Sequence, residues 1–163
     1  MHEKSVAGRG AWMRLFDETM AGLRFELDGK ELTAAEVLDR LSHKDGKERE
    51  AAARSLSKVL GANVKLFSLI TNTLAKDKEV EDKRRQYTRP ISSRNRVNQV
   101  EDEVVDALVD SVSGSYARIS HRYYALKAKW FGVKALDFWD RNAPLPDDDD
   151  SVIHWDEAKS TVL

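Results

Sequence analysis

The chain has 163 residues, 41% of them hydrophobic and 34% charged, the size and balance of one ordinary globular domain able to bury a core. Its 27 basic and 28 acidic side chains leave a formal charge of -1, so no overall field steers it toward nucleic acid or an anionic membrane, and neither partner is expected. Cysteine is absent, which removes disulfides and thiolate metal sites together and fits a reducing cytoplasm, the expected location.

The first ten residues carry charges and glycines where a secretory signal needs an unbroken apolar run, so no signal peptide is expected. From 11 to 23 the side chains of Trp12, Leu15, Phe16, Thr19, Met20 and Leu23 recur at threes and fours, the spacing of one helical face. Leu23 to Leu27 then alternates apolar and polar, and Asp28-Gly29 suits a two-residue type I′ turn, in which both central positions take positive φ. A short hairpin is predicted within 23–33, with Phe25 opposite Leu32 and Glu26 opposite Glu31. Thr33 and Glu36 have the spacing of a capping box, with Leu32 and Val37 as its hydrophobic staple, so a helix starts at Ala34 and ends near His43.

Asp45 and Glu48 offer a second N-cap, and the helix after it carries Leu56, Leu60, Val64, Phe67, Ile70 and Leu74 as one continuous apolar face. Asn63, Lys65, Ser68 and Asn72 interrupt this stretch, which makes it a buried helix and not a bilayer span. The charged segment 76–85 has no face to bury and reads as exposed helix. Residues 87–94 form a connector around Pro90, and Asn98 with Glu101 resembles another cap. The longest seam follows: Val105, Leu108, Val112, Tyr116, Ile119, Tyr123, Leu126 and Trp130 keep near-heptad spacing, with a bend expected at Ser113-Gly114-Ser115. Leu108 and Tyr123 are expected to be buried in it. Helix continues over 135–141, prolines 144 and 146 end it, 147–150 is an acidic loop, and a last short helix starts at Trp155.

A zincin site needs two histidines one helical turn apart with a glutamate between them. His2-Glu3 opens that pattern, but Val6 stands where the second histidine belongs, and His43, His121 and His154 are isolated in sequence. No metal ligands and no catalytic residues are therefore assigned. Glycine-rich phosphate loops are missing, and Ser92, Ser93 and Ser120 lie in a connector or on a helix, not in a nucleophile elbow. The basic stretch Lys83 to Arg96 is followed by Glu101, Asp102, Glu103, Asp106 and Asp110, which offer it intramolecular partners. The acidic run 147–150 lacks the glycine and spaced ligands of a calcium loop. Ser120 to Tyr124 is the densest set of functional side chains. Within it Tyr123 continues the seam, whereas His121 and Tyr124 are rotated away from it and are the candidates to line a substrate cleft.

At these residues a family resemblance enters. Glu3-Lys4-Ser5-Val6, Ala11-Trp12, Arg14 to Thr19, and Leu23-Arg24-Phe25 before Asp28-Gly29-Lys30 resemble the opening of the N-terminal domain of oligoendopeptidase F enzymes. Ile91 to Asn95, Val100 to Leu108, Ser120 to Trp130 and Trp139-Asp140-Arg141-Asn142-Ala143-Pro144-Leu145-Pro146 resemble the start of the metallopeptidase domain that follows it. The resemblance implies an N-terminal oligopeptidase F-like region at 1–85 and the beginning of a catalytic domain at 86–163, together one compact helical unit. It also implies a cytoplasmic zinc metalloendopeptidase that cleaves oligopeptides in a deep cleft, with its metal and base supplied by an HExxH helix and a later glutamate. Nothing in this chain matches either motif. The chain is accordingly expected to be a fragment that is inactive alone and binds no zinc itself, forming part of the helical wall of the substrate channel; zinc and oligopeptide substrates belong to the full-length enzyme. The alternative is a stand-alone helical module that binds a protein or peptide through the 105–130 seam. The long seam and four tryptophans also predict self-association.

Overall fold

The computed structural model describes residues 6–146 and 152–162. Among them the chain is helical apart from one hairpin: α1 (Arg9–Gly22), β1 (Phe25–Leu27), β2 (Lys30–Leu32), α2 (Ala34–Asp39), a 3-10 turn (Arg40–Ser42), α3 (Gly46–Ala62), α4 (Val64–Arg84), α5 (Ser92–Val97), α6 (Asp102–Ser115), a π-helical turn (Ala117–His121), α7 (Arg122–Trp130), a second 3-10 turn (Phe138–Asp140) and α8 (Trp155–Val162). This is the expected all-α class with one short antiparallel hairpin. No helix among the described residues is long and apolar enough to cross a membrane.

The hairpin follows its turn chemistry. Asp28 and Gly29 take φ of 51° and 74°, as a type I′ turn requires, and the register pairs Phe25 with Leu32 and Glu26 with Glu31. Alternation sends Phe25 and Leu27 inward and Glu26 outward. Phe25 is fully buried with Val37 and Ala52, and Leu23, Leu32, Leu41, Leu56 and Leu60 close around them. The capping box that launches α2 is complete: the Thr33 hydroxyl accepts from Glu36 N–H at 3.4 Å, and Thr33 N–H donates to Glu36 Oε2 at 2.7 Å. Asp45 caps α3 by accepting from Lys47 N–H at 2.9 Å. Phe16 on α1 meets Phe67 on α4 edge to face, with ring centroids 5.6 Å apart.

Several expectations are corrected. The predicted continuous helix from Asp45 to the charged segment is two helices meeting at Asn63. There the amide Nδ2 donates to Val59 O at 2.9 Å, offering the last turn of α3 a partner that competes with continued helix. Helix α5 begins within the supposed connector, at Ser92. Asn98 ends α5 and caps nothing; Glu101 precedes α6 instead, with no side-chain cap. Residues 135–141 are helical only over Phe138–Asp140, because the Gly132 turn reverses the chain and Asp137 stays extended at ψ 159° to cap that short turn.

The largest correction concerns the seam. Leu108 is 63% exposed and Tyr123 44%, so neither is a core residue. Periodicity shows which side chains share a face but not whether anything covers it. Helix α6 is tied to the body along its polar edge, where Arg89 grips Asp106 at 2.7 and 2.8 Å and Asn95 donates to Asp102 at 2.7 Å. Its apolar stripe faces away.

Candidate functional site

An apolar cleft of about 670 Å³ lies between α3, α7 and the loop over 134–142. Leu56 and Leu60 come from α3, Leu41 from the 3-10 turn before it, Tyr124 and Ala128 from α7, and Phe138 and Trp139 from the second 3-10 turn. Lys134, Asp137, Arg141 and Asn142 supply polar groups.

Two buried cations hold the loop in place. Arg49, only 3% exposed, sends Nε and Nη2 to Asp140 Oδ1 at 3.1 and 2.6 Å. Its Nη1 donates to the carbonyls of His43 and Lys44 at 2.7 and 2.8 Å. The other Asp140 oxygen accepts from Asp137 N–H at 3.4 Å, closing the capping box of the 3-10 turn. Lys127, 2% exposed, donates from Nζ to Arg141 O at 3.0 Å and Ala143 O at 2.6 Å. Removal from water, then the Arg49 charge, hold the Lys127 ammonium below its ordinary pKa, and Asp140 opposes that shift. Both cations also approach the face of Phe131, at 5.9 Å for Arg49 and 5.7 Å for Lys127. Among the described residues no buried side-chain nitrogen or oxygen lacks a partner.

The lower rim depends on how α7 ends. Gly132 N–H donates to Lys129 O and Val133 N–H to Ala128 O, both at 3.0 Å, the paired bonds of a Schellman motif, with Gly132 at φ 68°. This reversal carries Ala135 to Trp139 back alongside α3. Trp139 lies against the Arg54 guanidinium at 5.8 Å and meets Phe138 edge to face at 4.8 Å.

Of the two predicted cleft residues, Tyr124 lines this cavity. His121 does not: it sits exposed on the π-helical turn, its ring 6.5 Å from that of Tyr116. His43 is exposed, its Nδ1 accepting from Asp45 N–H at 3.1 Å, and His154 is exposed just before α8. No three His, Asp or Glu side chains among the described residues gather where a metal could be held, so these residues do not fit the zinc that the resemblance implies. His2, Glu3 and the acidic run 147–150 lie outside the described residues. The one hydroxyl of a serine in the cleft, Ser57, is donated to Ala53 O at 2.9 Å. Apolar walls with a charged rim suit the site to hold an apolar or aromatic side chain.

Sequence reasoning missed Arg49, Lys127, Asp140 and Trp139. The Asp137–Asp140 spacing is a capping signal that could have been read. Nothing local in the sequence marks Arg49 or Lys127 as buried. Comparison of the chain with models of protein families, with curated proteins and with solved structures returns no match.

Proposed function

We propose that this chain is a non-catalytic helical portion of a cytoplasmic zinc oligopeptidase of the oligoendopeptidase F type, in which it builds part of the wall of the peptide channel. The ordered set of strings resembling that family supports the reading. The observation that carries it is the make-up of the cleft: Leu41, Leu56 and Leu60 from the region resembling the N-terminal domain face Tyr124 and Trp139 from the region resembling the peptidase domain. A wall of this kind positions an apolar peptide side chain and supplies no reacting group. Metal and general base would come from a separate HExxH-bearing segment, where zinc activates the attacking water.

The test begins with the gene. An HExxH motif in frame downstream is expected, and the complete product should cleave a quenched fluorescent oligopeptide in a chelator-sensitive way. In that product Trp139→Ala should raise KM more than it lowers kcat, since a wall contact contributes binding rather than chemistry. A stop codon directly after Leu163, or a complete product with no peptidase activity, would sink the proposal. The competing reading, a helical module that binds a protein or peptide, is favoured by one observation, the uncovered stripe of α6.

A further inference from the structure

We infer that the cleft between α3, α7 and the 134–142 loop takes a peptide in which a large apolar or aromatic side chain has a carboxylate within about two residues of it, the side chain lying against Leu56, Leu60 and Trp139 and the carboxylate met by Lys134 and Arg141. This rests on the reading of the cleft as a peptide-binding wall and adds which peptides that wall selects.

The cleft falls within the roughly 300–1,000 Å³ of sites that engulf a whole small ligand, so it has room beyond a single side chain. A volume of about 670 Å³ corresponds to a span of about 9 Å, two or three extended residues at about 3.5 Å each. Its apolar walls are prepared in advance. Leu56 and Leu60 pack against the buried cluster of Phe25, Val37 and Ala52, which ties one wall to the most buried part of the chain. Trp139 is braced by the Arg54 guanidinium at 5.8 Å and by Phe138 edge to face at 4.8 Å, and its turn is fastened to α3 through Asp140 and Arg49. A guest therefore meets surfaces that need little ordering, which favours binding.

Charge selects the guest. Lys134, Asp137 and Arg141 are the charged residues of the lining. Asp137 belongs to the 3-10 turn, whose capping box it forms with Asp140, and Asp140 is spent on Arg49. Among the described residues neither the Lys134 ammonium nor the Arg141 guanidinium has an ion-pair or hydrogen-bonding partner. The Arg141 main chain is nonetheless held, its carbonyl accepting from Lys127 Nζ at 3.0 Å, so the base of that side chain is fixed while its charge is free. Two uncompensated cations at an apolar opening attract a carboxylate and disfavour a basic residue. Because they line the same cleft as the apolar walls, the carboxylate has to lie close to the anchored side chain. It can come from an aspartate or glutamate beside the apolar residue or from the peptide's own C-terminus, and either source offers the cations the same acceptor.

The full chain has four tryptophans, whose indole N–H signals are read by NMR, with that of Trp139 assigned from Trp139→Phe. Two pairs of short blocked peptides are titrated in: phenylalanine followed by glutamate against phenylalanine followed by glutamine, and a peptide ending in phenylalanine as the free acid against its amide. The Trp139 signal should move, and an acid should bind about fivefold more tightly than its neutral counterpart at low salt, the difference shrinking as salt is added. The pair that shows the difference identifies the source of the carboxylate. Combined Lys134→Gln and Arg141→Gln should bring the acid down to the affinity of its neutral counterpart, with circular dichroism checking that the variant stays folded. Equal binding of acid and neutral peptides, or a difference that survives the double substitution, overturns the inference and leaves the cleft a peptide-binding wall. A Trp139 signal that moves with none of the peptides overturns that reading as well.

Discussion

Arg49 on α3 and Asp140, 91 residues later, share a single carboxylate oxygen, which accepts from both Nε and Nη2 of the guanidinium at 3.1 and 2.6 Å. With Nη1 spent on the His43 and Lys44 carbonyls, one side chain fastens the turn before α3 to the turn that carries Trp139. The pair is largely dry, with side-chain exposures of 3% and 14%.

Breaking that pair from either side strands a buried charge. Asp140→Ala is expected to cost about 3–5 kcal/mol, and Arg49→Leu, which also frees two carbonyls, a similar amount. Replacing both residues together with apolar ones should cost less than either single change. Urea unfolding monitored by tryptophan fluorescence measures this. A loss below about 1 kcal/mol for Asp140→Ala would show the pair to be ornamental.

Helix α6 should be tolerant where the small core is not. Phe25→Ala, at the fully buried centre, is expected to cost about 3–5 kcal/mol. Leu108→Ala and Tyr123→Ala should each stay within about 0.5 kcal/mol in the monomer, measured at low micromolar concentration. Losses of several kcal/mol at that concentration would mean the stripe is covered in solution by the chain itself.

Two helices end in a strained residue that glycine would relieve. Gln86 after α4 and Gln99 after α5 take φ of 58° and 53°, and each sits where Gly132 sits after α7, in the same pair of closing bonds. Gln86→Gly and Gln99→Gly should each stabilise by about 0.5–1 kcal/mol, less whatever glycine adds to unfolded-chain freedom. Thermal unfolding of the single and double variants tests this, and a lowered midpoint for both would refute it.

Glu79 accepts from Lys76 at 2.8 Å and from Lys83 at 2.5 Å on exposed α4. Those two ammonium groups hold its carboxyl down at about 2, from an ordinary 4.5. A depressed folded-state value means the contribution is present above pH 4.5 and is lost as pH falls from there through about 2. An NMR titration of the Glu79 carboxyl carbon should find this low midpoint, and Lys76→Gln with Lys83→Gln should return it toward the ordinary value. Added salt should move it the same way, because the group is fully solvated. A midpoint near 4.5 in the parent chain would contradict the geometry.

Local chemistry was readable wherever one short stretch decides the outcome. The Asp28-Gly29 turn, the hairpin register, the Thr33–Glu36 box and the Asp45 cap are each set by residues within a few positions, and each was anticipated. The cavity was not legible as a unit: Tyr124 lines it, but Arg49, Lys127 and Asp140 take their meaning from partners distant along the chain. The seam failed for a related reason. Its spacing is a property of one helix, whereas burial requires a second surface that no periodicity encodes.

The π-helical turn at Ala117–His121 accommodates one more residue than an α-helical path would need. Each residue after it therefore sits about 100° short of where an uninterrupted helix would place it. That phase sets the side of the axis from which Lys127 reaches the carbonyls of Arg141 and Ala143, while Leu108 and Val112 on α6 stay exposed. Deleting a single residue there, such as Ser120, would leave helix content almost intact while swinging the Lys127 ammonium off its two acceptors. The rod of α6 and α7 behaves like a camshaft, in which one inserted step decides the angle at which two separate lobes engage.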